Sequence, residues 1–195
     1  MRRLLSSLAA GVALAMAVGS AHATVNLLVV NPSFDEGGFA GWTLANGGIV
    51  IGGPDFSTGS GFISPESGPF FAALSTFGED GSLTQTLTDH AGCCYHLTYW
   101  LNADGSTGSN FSVQWDGVTV PGSELTDPNT NGWKEYGFQV AGTGSDTLTF
   151  VEENDNSYFG LDNVSVVPEP RAWALMILGV GVIGAALRRR RPAVA

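Results

Sequence analysis

The sequence predicts an all-β protein, with two antiparallel sheets packed face to face and an apolar helical segment at each end of the chain. Three observations carry this. From residue 24 to residue 167 no long stretch has helical periodicity; short β-branched and aromatic runs are separated by Gly, Asn, Asp and Ser. Several runs alternate cleanly: Tyr95, Leu97, Tyr99 and Leu101 share one face, while His96, Thr98, Trp100 and Asn102 share the other. Glycine is 27 of 195 residues and charged residues are only 13%, which argues against a coiled coil or a helical bundle.

In chain order the expected strands are 25–30, 42–44, 48–51, 70–75, 82–88, 94–102, 110–115, 118–120, 133–140, 146–152 and 160–167. Each is a short apolar or β-branched run bounded by turn residues. Asp116-Gly117 joins two alternating runs and predicts a two-residue hairpin, because both central positions need positive φ. Tyr136, Phe138 and Val140 line one face of their strand, as do Leu148 and Phe150. One greasy and one polar face per strand is what a sandwich requires. Residues 52–68 are rich in Gly, Ser and Pro and read as a long loop, either functional or a cover. No repeat of fixed period occurs, which disfavours a propeller or solenoid.

The two ends read as addresses. Arg2 and Arg3 precede an apolar run at 4–18, and Ala21-His22-Ala23 is a small-x-small cleavage site, so residues 1–23 form a secretory signal peptide and the mature chain starts at Thr24. The competing reading is an uncleaved anchor. At the other end Pro168-Glu169-Pro170 and Arg171 precede a 16-residue apolar run at 172–187, then Arg188, Arg189, Arg190 and Arg191. As a helix that run is about 24 Å long, enough to span a bilayer with snorkelling arginines and local thinning. The basic cluster would stay cytoplasmic and the body of the protein outside. The chain thus divides into 1–23, a domain at 24–167 and a tail at 168–195. The domain holds 17 acids and one base, Lys134, a net charge of −16. Such a surface excludes a nucleic-acid partner, which needs a basic face.

The order Pro168-Glu169-Pro170, short apolar helix, arginine cluster resembles the PEP-CTERM sorting signal. The resemblance implies export from a Gram-negative bacterium through the secretion machinery. It implies an inner-membrane-tethered precursor cut by an exosortase, and residence at the cell surface or in an exopolysaccharide matrix. Two prolines also forbid helix up to the membrane face and leave an extended strip for a protease.

The domain has a resemblance of its own. Residues 26–35 followed by Gly41-Trp42, the segments 83–87 and 95–101, and the closing Phe159-Gly160-Leu161-Asp162-Asn163-Val164 resemble galactose-binding-like jelly rolls, which include many carbohydrate-binding modules. The implied fold is an antiparallel jelly-roll β-sandwich. The resemblance also implies a structural calcium tying first strand to last, with Asp35 and Asp162 as ligands and Glu36 as a further candidate. Oxygen ligands in an acidic extracellular domain suit that ion. The alternative is that Asp35 caps a turn and Asp162 binds nearby backbone.

A sugar site needs aromatic faces beside polar groups. Trp100 is the leading candidate, with His96 and Asn102 on its face and Gln114 on a strand expected to neighbour it; Trp42 and Trp133 are weaker. If the other face of the strand is exposed, Trp100 is core. Cys93 and Cys94 are adjacent, which leaves a strained vicinal disulfide, two free thiols or links to other chains. No nucleophile elbow, phosphate loop or zinc-protease motif is present. The expectation is therefore a non-catalytic exported protein that binds glycan. A structural or adhesive protein without a sugar pocket is the alternative, and a glycoside hydrolase is a third reading.

Overall fold

The computed structural model describes residues 28–169. The expected signal peptide, the C-terminal apolar helix, Pro170 and the basic cluster at 188–191 lie outside these residues. Thirteen strands occur within them: β1 Thr43–Ala45, β2 Val50–Gly52, β3 Phe56–Ser57, β4 Phe62–Ile63, β5 Phe71–Leu74, β6 Gly81–Leu87, β7 Cys94–Asp104, β8 Asn110–Trp115, β9 Val118–Thr119, β10 Leu125–Thr126, β11 Asn129–Ala141, β12 Asp146–Glu153 and β13 Phe159–Pro168. One sheet runs β1-β6-β12-β8-β10, with β9 paired to β8. The other runs β11-β7-β13-β5-β2, and β3-β4 is a separate hairpin.

The alternation in the sequence decides what lies between the sheets. Tyr95, Leu97, Tyr99 and Leu101 are buried on β7. They meet Phe111 and Val113 of β8 and Leu148 and Phe150 of β12 in one continuous core. Tyr99 is its centre. Its ring stacks on Tyr136 (5.6 Å, 14°) and meets Phe150 edge-on at 5.2 Å. Trp42 is core as well, packed on Phe34 and Phe150, with its indole N–H donating to the Asn31 carbonyl at 3.2 Å.

The structure departs from expectation in four places. The described part of the first expected strand, residues 28–30, is not a ladder strand. The Gln85 side chain binds it instead: the Val30 N–H donates to Gln85 Oε1 at 2.7 Å, and Gln85 Nε2 donates to the Val30 carbonyl at 3.0 Å. The long loop at 52–68 contains the β3-β4 hairpin, whose Phe56 and Ile63 cover Phe71. β10 had no signal, because two residues are too short to show alternation. β11 begins four residues early, across a bulge where Asn131 and Gly132 take positive φ. The Asp116-Gly117 turn is as expected, with φ of 52° and 73°.

Several acids are buried or half-buried. Asp104 gathers three loops, accepting hydrogen bonds from the hydroxyls of Ser60, Ser106 and Ser157 and from the Ser106 N–H. Burial raises its pKa, but these donors outweigh that and hold it at about 2. Glu152 faces inward at one end of the sandwich, where burial, aided by the charges of Asp80 and Glu153, pushes its carboxyl up to about 8. Neither of its oxygens has a partner. At the other end Asp146 takes the Thr143 N–H and hydroxyl, and Asp89 takes the Gly144 N–H. Burial and the neighbouring Asp146 push Asp89 up.

The Tyr99 hydroxyl is buried without a partner. An unmade hydrogen bond costs about 1–3 kcal/mol, so Tyr99→Phe is expected to raise stability by up to about 1 kcal/mol, read as a higher urea midpoint at unchanged slope. A loss of 1 kcal/mol or more would mean that the hydroxyl has a partner.

Candidate functional site

β7 lies between β11 and β13, so its outward residues sit in the middle of a sheet face. Register fixes their neighbours. His96 lies between Gln139 and Val167, Thr98 between Gly137 and Ser165, Trp100 between Glu135 and Asp162, and Asn102 between Trp133 and Gly160. His96 is exposed; Trp100 and Asn102 are half-buried. The three are thus brought together on one outer face, and the reading of Trp100 as core does not hold. Gln114 is not with them. It lies on β8 in the opposite sheet, between Thr149 and Thr119, so the expectation that its strand neighbours β7 is corrected. The pattern that put Gln114 on a polar face was right; which sheet owned the face was not legible in it.

The β3-β4 side closes one flank of this face. The Trp133 ring meets Phe71 edge-on at 5.6 Å, and its indole N–H donates to the Ser64 carbonyl at 2.9 Å. Gly160 makes room for it: a Cβ there would lie 2.7 Å from the ring. Trp133 is therefore a half-buried wall of the trough rather than a free platform. Gly137 leaves the floor beside Thr98 without a side chain.

Asp162 is the hinge of that wall. It is fully buried, and its two oxygens accept the backbone N–H groups of Asn163 (2.7 Å), Glu66 (3.1 Å) and Ser67 (3.3 Å). Asn163, at φ 48°, absorbs one residue in a bulge, so Leu161 and Val164 both turn inward while Asp162 faces out. The Asn163 side-chain amide then donates to Glu66 and to Ser67 Oγ. Burial pushes Asp162 up to about 6 against the pull of these three N–H donors, and the charge of Asp35 adds to the rise.

Asp35 therefore lies in electrostatic reach of Asp162, as the calcium expectation requires, and packs against Gly68, where a Cβ would strike its carboxylate. The Ser33 hydroxyl donates to it at 2.8 Å. Glu36 is exposed beside it. The groups that reach Asp162 are N–H donors, which compete with a cation for the same lone pairs. Among the described residues no group of three or more His, Cys, Asp or Glu side chains is placed to hold a metal.

Cys93 and Cys94 are not bridged to each other in the structure. Cys93 packs against the core and Cys94 is exposed at the start of β7. Successive strand residues point to opposite faces. The Cys93 carbonyl accepts the Gly142 N–H at 2.8 Å, which ties the peptide unit between them to the end of β11. Of the sorting motif, Pro168 ends β13 opposite Tyr95. The Glu169 N–H donates to the Cys94 carbonyl at 3.0 Å, and its carboxylate accepts from Gln139 Nε2 at 2.6 Å.

The domain is similar in fold to three solved structures. TmCBM61 in complex with β-1,4-galactotriose has TM-score 0.56 and 18% identity, covering 73% of this chain and 99% of that one. The CBM22-1 xylan-binding domain from Paenibacillus barcinonensis Xyn10C has TM-score 0.52 and 19% identity, covering 74% and 95%. The enzymatically active domain of bacteriophage CBA120 tailspike protein 4 has TM-score 0.50 and 19% identity, covering 73% of this chain but 21% of that one. No curated protein matches the sequence. Residues 166–191 match the PEP-CTERM protein-sorting motif.

Asp162 binds fewer protons when unfolded than when folded between its ordinary value of 3.8 and about 6. Its stabilising contribution is therefore complete below pH 4 and is lost as pH rises through 6. Urea midpoints measured from pH 4 to 7 should fall along that limb, and Asp162→Asn should flatten it. An unchanged limb in the variant would remove Asp162 as its source.

The chain therefore carries a PEP-CTERM protein-sorting motif at residues 166–191, behind a domain with the jelly-roll fold of carbohydrate-binding modules.

Proposed function

We propose that the chain is an exported, non-catalytic protein of the cell surface or exopolysaccharide matrix. Its jelly roll binds glycan on the outer face of β11-β7-β13, and its tail is processed by an exosortase. The observation that carries the glycan reading is Trp100. It is a half-buried indole on the outer face of the sheet, flanked by His96 and Asn102 on its own strand. An aromatic ring stacks on the apolar side of a pyranose, and the imidazole and amide suit its hydroxyls. The acidic surface favours neutral glycans over acidic ones.

In the precursor, the apolar run at 172–187 anchors the chain in a membrane, with Arg188 to Arg191 on the cytoplasmic side. The last residues of β13 suit a protease substrate. Pro168 and Glu169 follow the extended course of β13, with Pro168 paired to Tyr95 of β7 and the Glu169 N–H donating to Cys94. A protease must lift or pass two hydrogen bonds at Glu169 to reach the strip.

The test is binding of β-1,4-galactotriose and xylan by calorimetry to the wild type, Trp100→Ala and Gln114→Ala. Trp100→Ala is expected to weaken binding at least about tenfold, worth about 1.4 kcal/mol, with its melting temperature checked alongside. Gln114→Ala, on the opposite sheet, is expected to bind as wild type. Equal binding by Trp100→Ala would move the site elsewhere. No binding by the wild type to either glycan or to the host's own polysaccharide would favour the adhesive reading.

A further inference from the structure

We infer that the groove between the β8-β9 hairpin and edge strand β11 is a membrane-facing surface, with Val118 presented to lipid. The inference rests on the proposed anchorage of the tail in a bilayer. The groove has a volume of about 230 Å³ and is lined mainly by Trp115, Val118, Val120, Pro121, Gln139 and Val140. Its walls are apolar in a domain of net charge −16. Val118 is 69% exposed at the hairpin, a large apolar side chain with nothing over it among the described residues. Asp116, the acid of the turn, is also exposed, but its Oδ1 is engaged, accepting the Thr147 N–H at 2.7 Å. Hydrogen bonding with Asp146 raises its pKa and favours its neutral form.

The position of the tail commits the groove to one occupant. Gln139 lines the groove, and its side chain donates to Glu169, whose own N–H is held by Cys94. The last described residue is thus pinned to the groove wall. The apolar run begins at Ala172, three residues on. Three extended residues reach about 10 Å at most. A tail that enters a bilayer at Ala172 therefore holds this groove at the bilayer surface. A second copy of the chain is the weaker occupant, because a stable protein interface needs about 800 Å² from each partner and six residues supply far less.

The experiment uses the full chain in a Cys93→Ala, Cys94→Ser background, with a single new cysteine at Val118→Cys or Phe62→Cys carrying an environment-sensitive fluorophore. Phe62 is the control. Its hairpin is tied by Ser60 to Asp104, at the opposite end of β7 from Cys94, ten residues or about 33 Å away. The chain is reconstituted in phosphatidylcholine vesicles with and without a spin-labelled lipid quencher, and flotation scores association. The expected result is a blue-shifted label at 118 that the lipid quencher dims at least about twofold more than the label at 62. Floating chain with equal quenching at both positions overturns the inference while leaving the anchorage intact. Chain that does not float defeats the anchorage reading, and the inference with it. A blue shift at 118 that persists without lipid and accompanies crosslinking between copies assigns the groove to a second copy and also overturns it.

Discussion

The period-2 alternation of β7 is the constraint on which the rest of the molecule depends. This strand is flanked by β11 and β13, and its inward residues supply the middle of the core. A one-residue slip would send Tyr95, Leu97, Tyr99 and Leu101 to solvent and bring His96, Trp100 and Asn102 between the sheets. The aromatic contacts of Tyr99 with Tyr136, Phe111 and Phe150 therefore do two jobs. They fill the core, and they set the register that holds Trp100 on the outer face of the sheet. Core packing and the candidate site are two sides of one strand.

The second theme is the use of carboxylates as backbone partners. In a domain with one lysine, acids cannot be paired with bases, so the structure satisfies them with N–H and hydroxyl groups. Asp162 clamps the loop at Glu66 and Ser67 to β13, and Asp104 gathers the loops of Ser60, Ser106 and Ser157. These clamps hold the β3-β4 hairpin against one flank of the trough. Glu152 is the exception. Neither of its carboxyl oxygens has a hydrogen-bond partner, and burial pushes its pKa up to about 8, which favours the protonated form near neutrality.

Much of this was legible before the fold was known, because strand alternation is a local signal. Nearly every ladder strand longer than three residues matches a run seen in the sequence, and the Asp116-Gly117 turn follows from its residue pair. What was not legible is long-range. Nothing local says that β8 belongs to the opposite sheet from β7, so Gln114 was grouped with Trp100 although the sandwich separates them. The hairpin inside residues 52–68 consists of two-residue strands, too short to alternate. The disulfide expectation weighed compartment and count, whereas the orientation of Cys93 and Cys94 is set by the ladder that begins at Cys94. Asp162 was singled out as a cation ligand by resemblance. Its three N–H donors come from its own neighbour and from a loop nearly a hundred residues away.

The sorting motif and the jelly roll meet at Glu169, where the domain ends and the tail begins. In the proposed function that point is the boundary between a functional unit and a removable address. Intact mass of the protein recovered from its native host, in membrane and extracellular fractions, tests this most directly. The account predicts an extracellular chain that starts at Thr24 and ends near Pro170. A mature protein found only in the membrane fraction, still carrying Arg188 to Arg191, would contradict it and would make the tail a permanent anchor.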